Sequence, residues 1–116
     1  MKNIIITGTS RGIGYELALQ FANEGHQVLA ISRKTPTEFI KHQNITCLSI
    51  DISDKVQFVQ VEDFLKSTWK KVDVVINNAG NLLNKPFKEI SFTDFENVYK
   101  VNVFAVAELT RICIPF

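Results

Sequence analysis

With 116 residues, 46% of them hydrophobic and 22% charged, the chain carries one domain's worth of core-forming sequence. A formal net charge of +1 gives no whole-chain attraction to nucleic acid or an anionic membrane, so any anion affinity must be local. No apolar run approaches the ~20 residues of a membrane helix, and Ile4-Ile5-Ile6 is too short for a signal sequence, which reads as a cytoplasmic protein.

Short β-branched runs alternate with segments of helical period. Ile4 to Ile6 opens as a buried strand, and a helix over Ile13–Asn23 places Ile13, Leu17, Phe21 and neighbouring alanines on one stripe, with Gly25 as its stop. Gln27–Ser32 is a second strand, Thr37–His42 a short helix after Pro36, and Ile45–Ile50 a third strand. Asp54 caps a helix whose apolar residues are Val56, Val59, Phe64 and Leu65. Val72–Ile76 is a fourth strand. A glycine-containing loop then leads to a helix from about Thr93, carrying Phe95, Val98, Val101, Val103, Phe104, Val106 and Leu109.

Such alternation marks parallel βαβ units, and strands apolar on both faces fit a covered sheet. The expected architecture is α/β: a Rossmann-like three-layer sandwich with about four parallel strands in the order 3-2-1-4. The fourth strand and last helix would then be open edges that invite a second copy. Cys47 and Cys113 have no metal-type spacing and read as reduced, buried thiols. His26 and His42 stand alone near loops and read as solvent-exposed.

The segment Thr7-Gly8-Thr9-Ser10-Arg11-Gly12-Ile13-Gly14 lies between the first strand and the first helix. Gly8 allows a sharp turn, Gly12 removes a side chain where a pyrophosphate would approach, and Gly14 permits close helix packing. Free N–H groups at the helix start would bind an anion without a lysine.

This Thr-Gly-x-x-x-Gly-x-Gly spacing resembles the fingerprint of the short-chain dehydrogenase/reductase family. Asp51 after the third strand, Asn77-Asn78-Ala79-Gly80 after the fourth, and Asn102 within Val101-Asn102-Val103 follow that family's order. The resemblance covers the whole chain. It implies a single dinucleotide-binding domain of which residues 1–116 are the N-terminal part, with a sheet incomplete relative to the family. It also implies phosphate contacts from Gly8, Ser10, Arg11, Gly12, Ile13 and Gly14, and adenine contacts from Asp51 and Ile52. Asn78, Ala79 and Gly80 would lie along a ribose. The competing reading of Asp51 is a helix N-cap; Asn77 reads as a residue tying loop backbone together.

The end of the second strand reads Ile31-Ser32-Arg33-Lys34, with no acid to meet a ribose 2′-OH. Arg33 can pair with a 2′-phosphate, Ser32 leaves room for it, and Arg11 is a second basic position, so NADP (as NADPH) is favoured over NAD. The competing reading is two solvated arginines.

In the family a tyrosine exchanges a proton with a carbonyl or alcohol substrate, a lysine four residues later lowers its pKa, a serine orients the substrate, and an asparagine completes a proton relay. Asn102 is the one member with a matching position, its competing reading being a core asparagine bonded to backbone; neither Tyr15 nor Tyr99 has lysine at the fourth following position. The expectation is therefore the NADP-binding part of an oxidoreductase acting on CH–OH groups, inactive by itself and homo-oligomeric in the full enzyme. The alternative is a non-catalytic nucleotide- or partner-binding protein of the same fold.

Overall fold

A computed structural model describes residues 1–116. Four parallel strands form one sheet: β1 (Asn3–Thr7), β2 (Gln27–Ser32), β3 (Ile45–Ser49) and β4 (Val74–Ile76), in the order β3-β2-β1-β4. Ile5 lies opposite Leu29 on one side and Val75 on the other, and Ala30 lies opposite Cys47. The helices are α1 (Gly12–Asn23), α2 (Thr37–Ile40), α3 (Val59–Phe64), α4 (Phe92–Tyr99) and α5 (Ala105–Cys113). A 3₁₀ turn at Lys55–Phe58 leads into α3, a π turn at Leu65–Trp69 ends it, and another at Lys100–Phe104 joins α4 to α5. None of the helices is long and apolar enough to cross a membrane.

Each face of the sheet has its own core, which is why β1 and β2 read as unbroken apolar runs. Ile4, Ile6, Val28 and Ala30 pack against Ala18 and Ala22 of α1 and Phe39 of α2. Ile5, Leu29 and Ile31 pack against Val61, Leu65, Leu109 and Ile112. The expected α/β/α sandwich and strand order are what the chain adopts.

Two helical stripes differ from expectation. In α1 the sheet-facing residues are Gly14, Ala18 and Ala22, while Ile13 is 73% exposed and Leu17 and Phe21 are half-buried. Gly14 must fit beneath the turn that precedes α1, which sets the helix rotation and turns the larger side chains to its flanks. In the α3 segment Phe58, Val61 and Leu65 are buried, whereas Val56 and Val59 face out. The tighter 3₁₀ winding shifts the apolar phase there; Asp54 does cap it, accepting from Val56 N–H at 3.1 Å.

Local hydrogen bonding sets the helix ends. α1 ends where expected, at Gly25 (φ +93°), in a Schellman motif with Gly25 N–H on Ala22 O and His26 N–H on Phe21 O. His26 is not solvated as expected: half-buried, it accepts Lys2 N–H at Nδ1 (3.1 Å) and sits edge-on to Phe21. His42 is also half-buried, accepting Asn44 N–H at Nδ1 and bonding Asn23 Oδ1 through Nε2. Ser91 and Asp94 form a capping box that starts α4 at Phe92.

Cys47 and Cys113 are free thiols, Cys47 half-buried and Cys113 buried. Burial pushes the Cys113 thiol up to about 11 from 9.0. A raised folded-state pKa means that this group's contribution is whole below pH 9.0 and is lost as pH rises toward about 11. The native chain is therefore expected to leave Cys113 unlabelled by a thiol reagent at pH 8, with labelling on adding denaturant; rapid labelling of the folded chain would contradict the packing.

Candidate functional site

The turn between β1 and α1 is built by exclusion of side chains. Gly8 (φ +72°) and Gly12 (φ +64°) occupy the left-handed region that favours glycine. A Cβ at Gly8 would lie 2.8 Å from Ala79 Cα, and one at Gly14 would lie 2.2 Å from Gly8 O and 2.5 Å from Asn78 Nδ2. At Gly12 a Cβ would meet nothing within 4 Å. Gly14 is thus a packing requirement, while Gly12 keeps the turn's outer surface bare. Arg11, extended at the N-cap, gives α1 no side-chain cap, and the first turn holds no acid. No side chain caps its leading N–H groups, which with the dipole leaves them for an anion.

The β4 loop is sewn to this turn through Asn78 and Thr7. Thr7 Oγ1 accepts the N–H groups of Asn78 (3.1 Å) and Ala79 (3.0 Å), while Asn78 Nδ2 donates to the carbonyls of Thr7 (3.2 Å) and Gly8 (3.1 Å). The structural task expected of Asn77 falls to Asn78; Asn77 is exposed. Register explains the exchange: Ile76 is the last residue paired with β1, and Asn78 N–H already turns back to Ile76 O.

A cleft of about 560 Å³ opens at the carboxyl ends of the strands, where open α/β sheets hold ligands. One wall is Gly8, Ser10, Arg11 and Gly12; another is Ile31, Ser32 and Arg33; a third is Ile50, Asp51, Ile52 and Ser53. Asn78 to Asn81, with Asn97 and Val101, complete it. Of the residues expected there, Ile13, Gly14 and Asn102 do not line the cleft. Ile13 projects its side chain into solvent, Gly14 lies under the turn, and Asn102 is turned to the β4 loop.

Asp51 does not cap the helix that follows, its competing reading. Its Oδ1 accepts from Ser53 Oγ–H (2.7 Å) and Ser53 N–H (2.9 Å), an Asx-type turn, yet the residue also lines the cleft. These bonds hold its carboxyl below the usual range, and the positive charge of Arg33 adds to them. Asp51 therefore offers an ionised acceptor at neutral pH. The capping role belongs to Asp54.

Asn102 sits in the π turn between α4 and α5, where the wider winding accommodates it within an otherwise apolar stretch. Its amide pairs with one residue in both directions: Oδ1 accepts Asn81 N–H (2.8 Å) and Nδ2 donates to Asn81 O (2.9 Å). It is exposed and so not a core asparagine, but it does bond a backbone carbonyl, as its competing reading held.

Thr7, Asn81, Asn97 and Val101 were not singled out from the sequence. Thr7 was legible only as the residue before the first glycine. Asn97 and Val101 are four residues apart on a helix, a spacing that marks a shared face but cannot say which face meets the cleft.

Comparison with known proteins agrees with this geometry. A family model described as short chain dehydrogenase matches residues 2–116. The chain is 32% identical over 112 residues to a probable short-chain type dehydrogenase/reductase, VdlC, of Helicobacter pylori, covering 96% of this chain and 41% of that protein. It is 31% identical over 121 residues to the NADPH-dependent pterin aldehyde reductase of Arabidopsis thaliana, covering 98% and 50%. A crystal structure of a short chain dehydrogenase from Leptospira borgpetersenii with bound NAD+ superposes with a TM-score of 0.89 at 25% identity, covering 97% of this chain and 44% of that one. The chain thus spans half or less of the length of each of these three proteins. Sheet order, a glycine turn at the first strand's end and a match along nearly all these residues converge: the chain belongs to the short-chain dehydrogenase/reductase family, a family of oxidoreductases.

Proposed function

We propose that residues 1–116 form the N-terminal part of a single dinucleotide-binding domain that holds NADP in an oxidoreductase acting on a carbonyl or alcohol. The observation that carries this reading is the uncapped start of α1 opening into a cleft whose β2 end presents Arg33 and no acid. The site fits the group: Gly12 leaves open space where a diphosphate would approach, and nothing acidic opposes it in the first helical turn. Bound there, the cofactor would supply hydride-transfer chemistry.

In this reading the backbone of Gly8, Ser10 and Gly12 holds the diphosphate, Gly14 packs beneath that turn, and Arg33 with Arg11 meets the 2′-phosphate. Asp51, kept ionised by Ser53, accepts from the adenine amino group beside Ile52. Asn78, Ala79 and Gly80 flank the ribose. Asn102 belongs to the proton relay that the family resemblance implies, and its amide holds the Asn81 loop in place. It is the one relay member in this chain, so binding without turnover is expected of these residues alone.

The Arabidopsis relative's NADPH dependence supports NADP, while the Leptospira structure carries NAD+, so the basic β2 end decides between them in this proposal. Exposed Val103, Phe104 and Ile114 support self-association, and two free thiols support a cytoplasmic location.

Calorimetric titration of the chain with NADPH and NADH tests the reading. NADPH is expected to bind about tenfold or more tightly, the scale of one charge-assisted phosphate contact. Equal affinity for the two would remove the cofactor assignment, and no binding of either would remove the site.

A further inference from the structure

We propose that Ser49 is a positioning residue for cofactor discrimination, fixing the backbone from which Arg33 projects; this rests on the reading of Arg33 as partner of the 2′-phosphate. The paired ends of β2 and β3 are Ser32 and Ser49, and the last backbone rung beyond them runs from Ile50 N–H to Ser32 O at 3.0 Å. There the two chains part. No backbone N–H reaches the carbonyls of Arg33 or Lys34. Two serine hydroxyls do so instead: Ser49 Oγ–H donates to Arg33 O at 2.7 Å, and Ser32 Oγ–H donates to Lys34 O at 2.6 Å.

This clamp decides which group can read the cofactor. The Ser32 hydroxyl spends its one proton on Lys34 O, so toward the cleft it offers only lone pairs, which a phosphate would not accept. Arg33 is exposed, and its guanidinium makes no ion pair or hydrogen bond within the chain. Nothing but its backbone fixes where that side chain starts. An arginine that must order itself on binding loses much of its gain to side-chain entropy, and a fixed root lowers that loss. Ser49 lies on the edge strand, is exposed, and does not line the cleft, so its hydroxyl acts on the ligand only through Arg33.

The test uses NADPH and NADH titrations of the chain. Ser49→Ala is expected to weaken NADPH about three- to tenfold, the scale of one hydrogen bond, while leaving NADH unchanged. Ser49→Thr, which keeps the hydroxyl, should restore the wild-type ratio, and Ser49→Ala should have no further effect on the ratio in an Arg33→Ala background. An equal loss for both cofactors, or an unchanged ratio, would overturn the positioning role. If the wild type shows no preference, or Arg33→Ala leaves the preference intact, the assignment of Arg33 fails and this role falls with it.

Discussion

Replacing Gly14 by alanine is expected to lower the unfolding free energy by about 3 kcal/mol or more and to eliminate dinucleotide binding, since extra atoms forced into a packed site reach that range. The added Cβ would stand 2.2 Å from Gly8 O and 2.5 Å from Asn78 Nδ2. Neither can retreat cheaply. Gly8 O is fixed in the turn and accepts from Asn78 Nδ2, and that same amide holds Thr7 O. The substitution must therefore push α1 off the sheet or break the seam between β1 and β4. Gly12→Ala serves as the comparison, because its Cβ would meet open space and only the positive φ is penalised. That change should cost about 1–2 kcal/mol. Urea unfolding of the two variants checks the ranking; a Gly14→Ala midpoint equal to the wild type would show that the turn is looser than described.

Arg33→Asp is expected to reverse the cofactor preference, shifting the NADPH-to-NADH affinity ratio by about a hundredfold or more. The change removes a charge-assisted contact with a phosphate and adds repulsion, terms that together reach about 3 kcal/mol. It also supplies an acceptor for the ribose 2′-OH of NADH. Paired titrations measure the ratio directly. Arg11, which also lines the cleft, remains in the variant and should leave some residual NADPH binding. A ratio unmoved by Arg33→Asp would mean that the side chain is merely solvated.

The legible parts of this protein share one cause. β1 and β2 could be read because unbroken runs such as Ile4-Ile5-Ile6 are unfavourable anywhere except a sheet covered on both sides. The glycine turn was legible because positive φ and close approach leave few alternatives to glycine, as Gly8, Gly14 and Gly25 show. Helix phase was less legible. Ile13 and Val59 looked like core on periodicity, but a second set lies one position away, Gly14, Ala18 and Ala22 beside Ile13 and Phe58 beside Val59, and a helix can be rotated to bury either set. The weight of Gly14 beneath the turn and the 3₁₀ winding after Asp54 decided the rotation.

The site divides the same way. Sequence alone determined which backbone stretches meet at the cleft, because strand order places the ends of β1, β2, β3 and β4 on one edge. It also determined the absence of an acid at the end of β2, which is a matter of composition and not of contact. Only the tertiary structure decided that Asn78 and not Asn77 ties the loop, that Asn102 grips Asn81, and that Ser49 holds the Arg33 carbonyl. Those bonds join residues 16 to 70 positions apart, and short polar side chains state no partner until the packing of helix on sheet brings one within reach.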